Sequence, residues 1–193
     1  MGRPKALLPL GAGDTFVSRV VTTLLHAGVA RVVVVARAEW SPMIARLPAE
    51  RTDVVINPAP DRGQLSSLQC GLAALPGAWS SVLITLVDVP LTAVDTVRRL
   101  MRAQRLSLAD VVRPERAGRH GHPILVTRAV ADALVEADPC ETTRSVLRAY
   151  AATTVDVPVE DEGSFADVDT PEDYERILAR AARSDRPADL GES

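Results

Sequence analysis

At 193 residues, 47% of them hydrophobic and 24% charged, the chain fits one domain with a sizeable core and is too apolar to be disordered. Aromatic residues make up 3% and the formal net charge is −3, so base-stacking platforms and attraction to a phosphate backbone are both lacking, and no nucleic-acid partner is expected. No apolar run is long enough to span a membrane and the start is not a secretory signal; with Cys70 and Cys140 at no zinc or redox spacing, the expected setting is the reduced cytoplasm, with no membrane partner.

The chain opens MGRPKALLPL, a glycine-and-cation turn (Gly2, Arg3, Pro4, Lys5) with almost nothing in front of it. Such a turn normally joins a strand to a helix, where backbone N–H groups and a lysine can hold a phosphate. Apolar residues at Phe16, Val20, Val21, Leu24 and Leu25 predict a helix over Thr15 to Ala27, with Gly28 as its C-cap. Arg31 to Ala36 reads as a buried strand and Asp53 to Ile56 as a short second one. A helix is predicted from Ser66 to Leu75, capped by Ser66 or Ser67. Ser81 to Val87 is the strongest strand, stopped by Asp88 and Pro90. A helix follows over Thr92 to Gln104. Ala109 to Arg113 and Pro123 to Val126 read as strands joined by the polar segment PERAGRHGH. Thr127 to Glu136 and Thr143 to Tyr150 read as helices, Thr153 to Val157 as a strand, and Pro171 to Arg183 as a closing helix with proline in its first turn. The domain thus covers residues 1–183, and 184–193 is a frayed polar tail. Apolar runs alternating with helix-period segments predict an α/β sheet covered on both faces.

In such sheets ligands gather at the carboxyl ends of the strands. Asp88 stands at the end of the most apolar strand. It reads equally as the cap of a turn or as an oxygen ligand for Mg²⁺. Asp167, Asp169 and Asp173 surround Thr170-Pro171. Asp169 or Thr170 would cap the last helix, with Glu172 and Asp173 favouring its N-terminal dipole. For Asp169, capping and metal binding are compatible. The stretch NPAPDRGQLSSLQCG (57–71) places Gly63 ahead of a helix start rich in hydroxyls, which suits a nucleotide or phosphate and equally an ordinary loop and cap. His120-Gly121-His122-Pro123 could suggest zinc, but no third ligand is suitably spaced. The reading preferred is a glycine turn, with Pro123 keeping His122 extended so that it reaches into a cleft.

In this order MGRPKALLPL, NPAPDRGQLSSLQCGL, LVDVPL, GHPIL and DVDTPEDY resemble the molybdenum-cofactor nucleotidyltransferase-like family, within the wider sugar-nucleotidyltransferase folds, and the branch containing molybdenum cofactor cytidylyltransferase most. The resemblance implies a Rossmann-like three-layer α/β/α fold. It implies nucleotidyl transfer from a nucleoside triphosphate, CTP favoured, to a phosphorylated small molecule. Lys5 would bind the triphosphate with Arg3 assisting; Asp88 would hold Mg²⁺, with Asp169 as the second metal-side carboxylate. Asn57, Gly63, Ser66 and Ser67 would shape the nucleotide pocket, and His122 would face the acceptor. Glu141-Thr142-Thr143-Arg144 stands where relatives carry a more glycine-rich turn, which leaves acceptor choice open. A molybdoenzyme or chaperone is an implied partner. Family members also open with a strand and a glycine-rich loop ahead of the Met-Gly-x-Pro-Lys segment. The expectation here is therefore a sheet lacking its first central strand, with Met1 an internal methionine. The competing readings are a sugar-phosphate or other metabolite acceptor, and a non-catalytic binding or chaperone protein.

Overall fold

The alternation read from the sequence becomes two sheets and the helices that cover them. The computed structural model describes residues 4–11, 13–40, 44, 47–48 and 50–184. Arg3, expected beside the triphosphate, lies outside the described residues, as does 185–193 of the expected tail. Six helices are described: α1 (Phe16–Ala27), α2 (Gln64–Ala73), α3 (Val94–Ser107), α4 (Arg128–Glu136), α5 (Thr143–Arg148) and α6 (Pro171–Ser184). The strands are β1 (Val32–Ala36), β2 (Thr52–Ile56), β3 (Ser81–Ile84), β4 (Val111–Arg116), β5 (Arg119–His120), β6 (Ile124–Thr127) and β7 (Thr154–Pro158).

Helix α1 begins and ends as its sequence dictates. Thr15 and Ser18 exchange side-chain and backbone bonds in a capping box, and Gly28 closes the helix in the left-handed region at φ 98°. Helix α2 departs from expectation. It starts at Gln64, and its N-cap is Gly63 rather than Ser66 or Ser67. The cause is backbone conformation: Gly63 sits at φ 99°, ψ −176°, a region other residues avoid, and this turns the chain into helix earlier. Ser66 therefore lies inside the first turn, where its hydroxyl donates back to the Gly63 carbonyl at 2.9 Å. Strand β3 is shorter than expected, ending at Ile84, because residues 85–88 leave the sheet in a turn. Strand β4 starts later than expected and runs on to Arg116, where β5 and β7 continue to pair with it. Helix α5 stops at Arg148, before the expected Tyr150, and α6 reaches Ser184.

The larger sheet has the order β3-β6-β4-β5, with β7 also on β4. Strand β6 runs antiparallel to β3 and β4, whereas β7 is parallel to β4. Strands β1 and β2 form a separate parallel pair. Among the described residues no strand pairs with the second edge of β1 or of β3.

Alternate side chains on β3 feed opposite faces. Leu83 joins the cluster of Val17, Val21, Leu24 and Val97 from α1 and α3, while Val82 and Ile84 join Leu65, Leu72, Val130 and Leu134 from α2 and α4. This is the three-layer arrangement. Helix α2 lies so close on β1 that a Cβ on Gly71 would come within 2.8 Å of Val35. A third cluster joins Leu8, Leu10 and Phe16 to Val168, Ile177 and Ala181. It anchors the amino-terminal segment against α6, and each of its side chains larger than Ala181 contributes about 1.5–3 kcal/mol by burial.

Candidate active site

Three segments distant in sequence meet at the carboxyl end of β3. Lys5 opens a 3-10 turn, Lys5–Leu7, whose exit is pinned by the buried Leu8 and Leu10. The Tyr174 hydroxyl donates to the Pro9 carbonyl at 2.8 Å and ties that exit to α6. Asp88 lies in the turn that follows β3. The Val168 amide donates to the Asp88 carbonyl at 3.1 Å, which brings Asp169 alongside.

The result is an ammonium shared by two carboxylates. Lys5 Nζ is 2.5 Å from Asp169 Oδ1 and 3.6 Å from Asp88 Oδ2. The Asp169 hydrogen bond comes first, and with the field of Asp88 it raises the Lys5 pKa above its ordinary value against the opposing effect of burial. The lysine stays charged throughout the neutral range. Asp88 Oδ1 is buried and has no hydrogen-bond partner among the described residues. A buried carboxylate oxygen of this kind calls for a cation, a donor or a water.

The acidic cluster divides its work. Asp173 Oδ2 accepts from the Asp169 and Thr170 amides and from the Thr170 hydroxyl, and the Asp173 amide donates to Thr170 Oγ1. These bonds to Thr170, then that from Asp169, hold the Asp173 carboxyl below the usual range, burial opposing and Arg176 adding a smaller effect. Capping of α6 thus falls to Thr170 and Asp173, and the Asp169 carboxylate faces Lys5.

His122 stands on the same rim. Strands β3 and β6 pair Ile84 with Ile124, so the residue just ahead of Pro123 sits beside the end of β3. Its imidazole bonds to the Ile84 carbonyl. Burial lowers its pKa, while that bond and the charges of Asp88 and Asp167 oppose the shift, and Nδ1 is buried without a partner. A neutral imidazole that gives its one N–H to the Ile84 carbonyl keeps Nδ1 as an acceptor for a ligand's donor. The His122–Pro123 peptide is cis. The His122 amide donates to the Ser164 carbonyl at 2.8 Å, and a Cβ on Gly121 would fall 2.2 Å from that same oxygen. His120 does not join this rim; it pairs with Asp156 on the sheet at 3.2 Å.

Asn57, Gly63, Ser66 and Ser67 form a second cluster, after β2. Asn57 Nδ2 donates to the hydroxyls of Ser66 (3.1 Å) and Ser67 (3.0 Å), and its Oδ1 accepts from the Ala59 amide. The Asn57 amide donates to the Ala36 carbonyl, closing the carboxyl ends of β1 and β2 together. In this state Asn57 and Ser66 shape the loop. No group of three or more His, Cys, Asp or Glu side chains among the described residues is arranged to hold a metal. A cation at Asp88 and Asp169 would therefore complete its shell with water and substrate oxygens, as Mg²⁺ does.

The sequence reading missed Asp161. Its Oδ2 accepts from the Ala93 amide (2.7 Å), the Thr96 hydroxyl (3.0 Å) and the Ser164 hydroxyl (2.9 Å), which fastens the segment behind His122 to the start of α3. The one local signal was the Asp-x-Gly spacing of Asp161 and Gly163, since the Gly163 amide also donates to Asp161.

The three-layer α/β fold sets a cation and two carboxylates at a strand end, and the family to which the chain belongs is one of nucleotidyltransferases. The MobA-like NTP transferase domain matches residues 1–155, and the chain belongs to that family. Its relatives are diverse in name. It is 33% identical over 185 residues to a nicotine blue oxidoreductase of Paenarthrobacter nicotinovorans, covering 92% of this chain and 90% of that protein. It is 32% identical over 174 residues to 2-C-methyl-D-erythritol 4-phosphate cytidylyltransferase of Streptomyces coelicolor, covering 81% of this chain and 64% of that protein. Among solved structures, Rv0371c of Mycobacterium tuberculosis in complex with manganese matches with a TM-score of 0.75 at 24% identity, over 92% of this chain and 93% of that one. That likeness shows the fold. No described helix is long and apolar enough to cross a membrane.

Proposed function

We propose that this chain transfers a nucleotidyl group, with CTP the favoured donor, to the phosphate of a small molecule such as the pterin precursor of a molybdenum cofactor, releasing pyrophosphate. A phosphate oxygen of the acceptor attacks the α-phosphorus, a new P–O bond forms, and the bond to pyrophosphate breaks. An acceptor phosphomonoester is already mostly ionised at neutral pH, so no strong base is needed. Lys5 binds the triphosphate and offsets charge that develops on the leaving group, assisted by Arg3. Asp88 and Asp169 hold a divalent cation, Mg²⁺ in this reading, which when bound supplies charge neutralisation and a template for the phosphates. Asn57, Gly63, Ser66 and Ser67 form the wall of the nucleotide pocket, and His122, neutral at pH 7, orients the acceptor. The observation that carries the reading is the meeting of Lys5, Asp88 and Asp169, with one Asp88 oxygen buried and unpartnered. The manganese in a structure of the same fold is in keeping with a divalent ion here.

The test is pyrophosphate release from CTP, GTP and ATP with Mg²⁺ or Mn²⁺ and a panel of phosphorylated acceptors, pterin and sugar-alcohol phosphates among them. Asp88→Asn should lower kcat by about 100-fold or more while thermal unfolding changes little. Equal turnover in wild type and variant would remove Asp88 from the mechanism. A second reading is favoured by the relative named as an oxidoreductase, which matches nearly the whole chain. Oxidation of a reduced nicotinamide coupled to two-electron reduction of nicotine blue, supplied as the electron acceptor, with no pyrophosphate from any nucleotide and acceptor pair, would select it.

A further inference from the structure

We infer that Lys5 is a built-in counter-cation that fills the divalent-cation seat until a metal ion displaces it, so that one event loads the metal and frees the lysine for the triphosphate. The inference rests on reading Asp88 and Asp169 as that seat.

The geometry carries it. One ammonium lies within ion-pair distance of both carboxylates, 2.5 Å from Asp169 and 3.6 Å from Asp88. A divalent ion held by carboxylate oxygens at about 2.0–2.1 Å would occupy the space this ammonium now fills. Both cations cannot hold the same Asp169 oxygen, because the ammonium and the ion would then repel each other at close range. Two carboxylates carry two negative charges; Lys5 neutralises one of them, and a divalent ion would neutralise both. The ion therefore displaces the lysine once the cost of dehydrating it is met.

Only the side chain has to move. The backbone next to Lys5 is fixed by the 3-10 turn and by Leu8 and Leu10, which are 7% and 0% exposed. The lysine side chain is about one-third exposed, so its flexible stem can swing out into solvent. There the anion that suits a released ammonium is a phosphate. A metal–triphosphate complex brings both halves of the exchange, the ion for the carboxylates and the oxygens for the lysine. Linkage then requires that triphosphate tighten metal binding and that metal tighten triphosphate binding by the same factor.

The experiment measures Mn²⁺ binding to the full chain without nucleotide, by the electron paramagnetic resonance of free Mn²⁺. Lys5→Gln and Lys5→Met should bind Mn²⁺ at least about five-fold more tightly than wild type, the lower end of ordinary site coupling. Asp88→Asn and Asp169→Asn should bind it at least about ten-fold more weakly. Unchanged or weaker binding in both Lys5 variants overturns the displacement while the seat stands. Wild-type affinity in both aspartate variants overturns the seat, and the displacement with it. A measurement on wild type needs no variant to fold: brief acetic anhydride labelling read by mass spectrometry. Mn²⁺ should speed acylation of the Lys5 amine, and equal or slower labelling overturns the displacement.

Discussion

His122 carries a pH dependence whose sign follows from its surroundings. Burial lowers its folded-state pKa below the ordinary 6.5, against the Ile84 carbonyl bond and the charges of Asp88 and Asp167. In the unfolded chain the imidazole takes up its proton as pH falls through 6.5; in the folded chain it does so only at lower pH. Between those two values the unfolded state binds more protons, so His122 removes stability progressively as pH falls from 6.5 towards the depressed value. The loss is at most about 1.4 kcal/mol per pH unit across that window. Urea unfolding with a chelator present, at pH 7.5 and at pH 5.5, should show wild type losing more stability between the two than His122→Gln. Equal losses would mean that the imidazole is not held neutral by the fold. The same neutrality suits a group that orients an acceptor, because the free Nδ1 can accept one hydrogen bond from it without fixing a charge there.

Helix α3 shows how an element of this fold is completed from afar. Its N-cap residue is Ala93, which has no side-chain acceptor, and Asp161 takes the Ala93 amide across the tertiary structure, the bond that an N3 Glu or Gln makes within a capping box. The carboxylate also meets Thr96 in the first turn, where the helix dipole favours negative charge. Asp161→Ala should cost about 2 kcal/mol, the scale of hydrogen bonds to a charged group, and lower the thermal midpoint by several degrees. Asp161→Asn, which keeps an acceptor oxygen, should cost less; equal losses would point to packing instead of capping. This is also where the sequence stops being sufficient. Helix α1 was legible at both ends, its start from the apolar stripe and its close from Gly28, a local signal. The capping of α6 was legible in part: the sequence offered Asp169 or Thr170 as the cap and gave Asp173 only a place in the helix dipole, whereas Thr170 and Asp173 cap it together. The start of α2 was not, since the deciding quantity was the backbone conformation of Gly63, and the hydroxyls of Ser66 and Ser67 gave a competing cap signal. Asp161 was invisible because its partners lie in a distant segment. That Asp88 and Asp169 could meet was legible from their places at a strand end and a helix start, although spacing alone left Asp88 undecided between cap and ligand; the pairing of Lys5 with both was not, since the resemblance gave that lysine to the triphosphate.

At the scale of the whole molecule, the two sheets share one set of covering helices without sharing a hydrogen-bonded edge. Strand β1 bonds to β2 through the Val32 amide, which donates to Arg51, and through the Ala36 carbonyl, which accepts from Asn57. The period of two then turns the Val33 and Val35 amides away from β2. On β3, the Arg128 amide donates to the Ser80 carbonyl, so Val82 and Ile84 face β6 while Ser81 and Leu83 face away. Among the described residues none of these four outward amides has a backbone partner, although Leu83 packs its side chain into the core. Strand β4, in contrast, is bonded on both sides, by β6 and β7. Stability should therefore be uneven, with the β4–β6–β7 centre opening only on global unfolding and the edges of β1 and β3 opening locally. Hydrogen exchange resolved by residue should find the Val33, Val35 and Leu83 amides exchanging at least about ten-fold faster than those of Val34, Val82 and Val112. Destabilising the whole protein with urea should speed the second group and leave the first nearly unchanged, because local opening exposes little surface. Equal protection in both groups, with equal response to urea, would show that both edges are covered in solution and that the two sheets behave as one.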